Sequence, residues 1–169
     1  VKLYLPSLVG IAILSTLLVS CSNDIGENFP DQGTKHIPDN ETYTEYASTP
    51  PTSGPHWNAA APWGIYSKPL PNERQVHNLE HGGIILQYNT DDQAIKTSLI
   101  RFAQKQQTFP CFIIVAPYPT MPFKIAATAW RVRETLDTYD EVHLQKFFDS
   151  YQRKGPERVP CSAGGQMIR

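Results

Sequence analysis

The chain has 169 residues, a net charge of −1, and 40% hydrophobic against 18% charged residues. That is globular composition, with enough length to bury a core. The near-neutral balance argues against nucleic acid as the main partner, because phosphate binding needs a basic surface.

The amino terminus stands apart. "VKLYLPSLVGIAILSTLLVSC" has an early cation, Lys2, then an apolar stretch from Leu8 to Val19, and ends in Leu18-Val19-Ser20-Cys21. A charged start, a short apolar core and small residues at the cut describe a signal peptide over residues 1–20. The final four residues resemble the lipobox of bacterial lipoproteins, which implies lipidation of Cys21. The expected localisation is export, with a lipid anchor at Cys21 holding the protein to a membrane. Ser22 follows the Cys, so the aspartate that marks inner-membrane retention in some Gram-negative bacteria is missing. No later stretch is apolar enough to span a bilayer.

Residues 21–34 read as the lipidated Cys and a flexible polar tether. Residues 35–169 read as a single α+β domain. Within it, Ser48 to Gln75 holds six prolines, two glycines and two tryptophans. That is too proline-rich for a helix or central strand and too aromatic for a disordered linker. A long ordered loop is expected, and such loops commonly carry function. Trp57, Trp63 and Tyr66 either line a groove or anchor the loop to the sheet.

Regular elements follow. "GIILQY", Gly83 to Tyr88, is a short buried strand. Asp91 to Gln106 has apolar residues at helical spacing, Ile95, Leu99, Phe102 and Ala103. Asp91 and Asp92 suit its first turn and Lys105 its last. "CFIIVA", from Cys111, is a strand, and "PYPTMP" is a tight loop. Lys124 to Glu134 reads as one further strand, with Ile125, Ala127 and Ala129 on one face and Ala126, Thr128 and Trp130 on the other. Glu141 to Arg153 is a second helix. The expected architecture is α+β: a small sheet of three to four strands with two packed helices and the long proline-rich loop.

The chemistry-bearing residues cluster before the first regular strand. "QVHNLEHGG" places His77 and His81 four apart, so on a helical turn both imidazoles share a face and can reach one metal ion. Gly82-Gly83 then stops the turn. The stretch also spells H-x-x-E-H, the order of inverted zinc peptidases. That reading makes Glu80 a catalytic base and needs a further carboxylate ligand, with Glu134, Glu141 and Glu157 as candidates. Otherwise Glu80 accepts the free ring N–H of a ligating histidine and fixes its tautomer. His56 lies in "PPTSGPHW", where Pro50, Pro51 and Pro55 stiffen the backbone around one imidazole. Met121 sits between prolines rather than on a helix face, either as a soft ligand or as a plug under its loop. Three imidazoles with a thioether point to copper before zinc.

Three cysteines remain to be assigned. With Cys21 lipidated, Cys111 and Cys161 are left as a pair, and in an oxidising compartment the simplest outcome is a disulfide.

The motifs "PPTSGPH", "APWGIY", "VHNLEHGGIILQY", the loop through Met121 and "ATAW" together resemble the family of proteins of unknown function DUF3105. The resemblance covers roughly Gly33 to Cys161. It implies that His56, His77, Glu80, His81, Met121 and the two cysteines fall on motif positions, with His36 of "DQGTKHIP" on a weaker one. The expected function is metal binding, with a copper ion, or alternatively zinc, held by His56, His77, His81 and Met121. The role would be copper binding, buffering or delivery at the cell envelope. A metal-free interaction module using the proline-rich loop, and a metal-dependent oxidase or hydrolase, are the alternatives.

Overall fold

The computed structural model describes residues 25–161; the expected signal peptide, Cys21 and the first tether residues lie outside them. In chain order the elements are β1 (Glu27–Asn28), β2 (His36–Ile37), β3 (His56–Trp57), β4 (Gly64–Ile65), α1 (Asn72–Glu80), β5 (Ile84–Tyr88), α2 (Gln93–Lys105), β6 (Ile113–Pro117), β7 (Ile125–Ala129), β8 (Val132–Leu136) and α3 (Glu141–Tyr151). The main sheet is mixed, with strand order β1-β8-β7-β5-β6-β4. β5 runs parallel to β6 and antiparallel to β7, which turns back into β8. β2 and β3 form a separate parallel pair. No helix among the described residues is long and apolar enough to cross a membrane.

The run Ile84-Ile85-Leu86 is fully buried because β5 lies between two strands and has a layer on each face. Ile84 and Leu86 point to one side, with Leu99 and Phe102 of α2, Ile125 and Ala127 of β7, and Leu144 and Phe147 of α3. Ile85 points to the other, with Leu79 of α1, Trp63 and Tyr66 of the long loop, and Ile114 of β6. Trp63 and Tyr66 therefore anchor the loop to the sheet. Asp92 caps α2 by accepting from the Ala94 and Ile95 amides, and Asp140 caps α3 by accepting from the His143 amide.

The α+β class holds, but the sheet is larger than three to four strands. The segment from Lys124 to Glu134 is a hairpin, not one strand. Its turn is built on Trp130 and Arg131, and Arg131 takes a left-handed backbone (φ 64°) without glycine or asparagine to announce it. Backbone contacts hold that turn: the Arg131 amide donates to the Thr52 carbonyl at 2.9 Å. The other additions are two-residue strands drawn from segments read as loop or tether. Glu27 and Asn28 pair with β8 at the sheet edge, where Arg133 reaches the Glu27 carboxylate at 2.6 Å.

There is also a third helix. α1 occupies the end of the segment read as loop, with Pro71 at its N-cap and Glu73 in its first turn. Both are helix-start features, since proline tolerates that end and a carboxylate complements the positive helix terminus. His81 is the C-cap, and Gly82 supplies the left-handed residue (φ 79°) that ends the helix.

Cys111 and Cys161 form a disulfide with Cα atoms 5.8 Å apart, closing a loop of 50 residues. Replacing both with Ser should lower the unfolding free energy by about 4 kcal/mol on the chain-entropy account. Urea denaturation of the oxidised wild type and the double variant measures that difference.

Candidate metal centre

Two elements converge on one point. The parallel pairing of β2 with β3 sets His36 directly beside His56. α1 delivers His77 and Glu80 from its last turn and His81 from its C-cap. The His36 and His77 rings stack with centroids 5.2 Å apart, and His56 meets both edge-on. Gly83 fits where it does because a Cβ would meet Trp63 at 2.5 Å, so the end of α1 lies close on the anchored loop.

Hydrogen bonds fix the ring orientations. His56 Nδ1 lies 2.8 Å from the Gly54 carbonyl and His77 Nδ1 lies 2.6 Å from the Trp57 carbonyl. A carbonyl only accepts, so each Nδ1 carries the proton and donates. In the neutral ring each Nε2 is then a bare lone pair. Burial holds His56 below the ordinary imidazole value, against the opposing pull of the Gly54 carbonyl and the Glu80 carboxylate. Burial and the neighbouring His77 do the same to His81.

Those lone pairs face other donors of electron density. His56 Nε2 is 3.0 Å from Glu80 Oε2, and both side chains are buried. His36 Nε2 approaches the same oxygen at 3.6 Å. His77 Nε2 is 3.0 Å from His81 Nε2, which in turn lies 3.1 Å from Glu157 Oε2. A neutral His56, with its proton on Nδ1, has none on Nε2 to give the Glu80 carboxylate. His81 has one Nε2 proton at most for two acceptors. Lone pairs that converge while the outer ring nitrogens are tied to backbone carbonyls are the arrangement of metal-ligating histidines.

Glu157 comes from a strap that follows α3. The Arg153 amide donates to the Gly82 carbonyl at 2.7 Å, and the Glu157 amide donates to the Glu80 carbonyl at 3.1 Å. Between them Gly155 passes so close to α1 that a Cβ would lie 2.1 Å from the Glu80 carbonyl oxygen. The disulfide at Cys161 ties the far end of the strap down.

The structure thus gathers His56, His77, Glu80 and His81 with His36 and Glu157. The donors fall into two overlapping sets, His36-His56-His77-Glu80 and His77-Glu80-His81-Glu157, each with ligand atoms within 4.8 Å of one another. These His and Glu groups can hold a metal ion. Met121 is packed elsewhere: it is buried with Tyr118 and Ala126 against Phe123, and its carbonyl accepts from Asn89 at 2.7 Å. Of the three downstream glutamates, only Glu157 reaches the cluster. Glu134 bonds the Gly26 amide and pairs with His143, and Glu141 pairs with Lys105. Glu80 meets the inward Nε2 of His56 and not the Nδ1 that bonds the Gly54 carbonyl.

An α+β protein with a buried histidine–carboxylate cluster at the end of a short helix is the class these features define. The chain belongs to the family of proteins of unknown function DUF3105, whose pattern matches residues 36–163. The matched range contains all the donors of both sets. No curated protein and no solved structure matches the chain.

The lone-pair conflict has a measurable consequence. Glu80→Gln would give His56 Nε2 an N–H to accept. In chelator-treated protein at pH 8 the variant should be more stable than wild type by about 1 kcal/mol, since an unmade buried hydrogen bond costs that order of energy. Lower stability in urea denaturation would mean that His56 and Glu80 already form an ion pair.

Proposed function

We propose that this protein binds copper as a divalent ion at the His36, His56, His77, Glu80, His81 and Glu157 cluster, and buffers or delivers it at the cell envelope. The observation that carries the reading is the pair of Nδ1 hydrogen bonds to Gly54 and Trp57, which aim the Nε2 lone pairs of His56 and His77 inward. Imidazoles mixed with carboxylates suit copper(II) or zinc, and the Irving–Williams order favours copper(II) at such a site. A monovalent copper site would draw on a thioether, and the packing of Met121 with Tyr118 and Ala126 lends that no support. The disulfide is consistent with an oxidising compartment, and with the export and Cys21 lipid anchor that the amino-terminal sequence leads us to propose.

A metal-dependent oxidase or hydrolase is the second reading. It is favoured by two surface cavities, of about 370 and 510 Å3, that share His81 as a wall residue. Catalysis needs an open coordination position beside such a space. A metal-free interaction module built on the proline-rich loop has less behind it, because Thr52, Ser53 and His56 of that loop are buried.

Equilibrium dialysis of residues 22–169 against Cu2+ and Zn2+, followed by elemental analysis, tests the proposal. Tight stoichiometric binding is expected, with copper ahead of zinc. His77 and Glu80 belong to both donor sets, so the folded His77→Ala/Glu80→Gln variant should bind at least about 100-fold more weakly, given that losing even an outer partner costs about 10–100-fold. Undiminished binding in that variant would remove the proposal.

A further inference from the structure

The donors of the cluster do not form one set but two overlapping sets of four. Four imidazoles and two carboxylates converge. His77 can offer only Nε2, because its Nδ1 is committed to the Trp57 carbonyl. His56 is limited in the same way by Gly54. The contacts then divide the donors by proximity. His36 and His56 both face Glu80, at 3.6 and 3.0 Å. His77 faces His81 at 3.0 Å, and His81 faces Glu157 at 3.1 Å. Each group is two histidines and one carboxylate, a triad that leaves coordination positions open on its ion.

We propose that the site holds two metal ions side by side, an inner one on His36, His56 and Glu80 and an outer one on His77, His81 and Glu157. This rests on the metal-binding reading above. Glu80 belongs to both donor sets, and its second carboxylate oxygen makes it the group able to bridge the two ions. Bridged pairs of this kind lie about 3.5–4 Å apart. The two positions differ in access. The inner triad is built around the fully buried His56. The outer one opens through His81 and Glu157 onto the cavity of about 370 Å3 that also includes Arg153 and Arg158. Its carboxylate is carried by the strap, so the outer ion's affinity depends on a segment held by the disulfide, while the inner ion's does not.

Native mass spectrometry of residues 22–169 titrated with Zn2+ counts the ions directly. Wild type should take up two. Glu157→Ala changes a half-exposed strap side chain, and His36→Ala changes one that is 44% exposed. Each variant should fold, as circular dichroism would verify, and each should lose one ion while keeping the other. Adding the Cys111→Ser/Cys161→Ser pair should weaken the second binding step and spare the first. A wild type that binds one ion would overturn the two-ion proposal and leave the single-site reading standing. Two ions that both survive Glu157→Ala would also overturn it, by putting the second ion elsewhere. No binding at all would overturn both.

Discussion

Two backbone carbonyls govern this site. Gly54 and Trp57 each accept the Nδ1–H of a buried histidine and so decide which nitrogen of His56 and His77 is bare. Neutral imidazole has one lone pair, and its direction is set by where the proton is held. With both protons held outward, the lone pairs converge on Glu80 and His81, where a carboxylate faces His56 and His81 has at most one Nε2 proton for His77 and Glu157. A buried polar contact of that kind is costly unless a cation shares it. The remaining architecture keeps these two carbonyls and these two rings in register.

That register is supplied from several directions. The loop carrying His56 is stiffened by Pro50, Pro51 and Pro55 and is itself buried, and the Tyr46 hydroxyl donates to the Pro55 carbonyl at 2.8 Å. Beyond Trp57 the chain is tied to α1 twice through one side chain. Asn78 accepts from the Ala61 amide at 2.9 Å and donates to the Ala61 carbonyl at 2.8 Å. α1 in turn rests on the sheet through Leu79, which meets Ile85 in the same apolar cluster. Histidine, carboxylate and sheet are therefore parts of one packed layer. A shift of α1 would move Leu79 and Asn78 together with His77 and Glu80. Metal sites depend on such support, since loosely held ligands lose affinity.

Much of this was legible in the sequence, and the gaps have physical causes. The apolar run of β5, the amphipathic α2 and α3, and the alternation along β7 all express periodicities set by burial. The β7–β8 turn was hidden because Trp130 and Arg131 are not turn-forming residues; the turn exists because Arg131 bonds the Thr52 and Phe29 carbonyls, contacts made far along the chain. α1 was legible in principle: Pro71, Glu73 and Gly82 punctuate it, but the prolines before it obscured its start. His77 and His81 declared themselves by spacing, and His56 by the rigidity around it. His36 showed only as a weaker motif position and Glu157 only as one of three candidate carboxylates, since each arrives through a long-range pairing, His36 through the register of β2 with β3 and Glu157 through the strap laid over Gly82. Met121, between prolines, left two readings open, soft ligand or plug under its loop, and its side chain is buried beside Tyr118 and Ala126.

The fold turns bare Nε2 lone pairs of His56 and His77 inward, where a metal ion would meet them. Long-range 1H–15N correlation of the imidazoles in chelator-treated protein at pH 8 reads that directly. The expected result is His56 and His77 with the proton on Nδ1, and added Zn2+ shifting both Nε2 resonances while Nδ1 stays protonated. Finding the proton on Nε2, or both rings doubly protonated at that pH and unmoved by zinc, would contradict it.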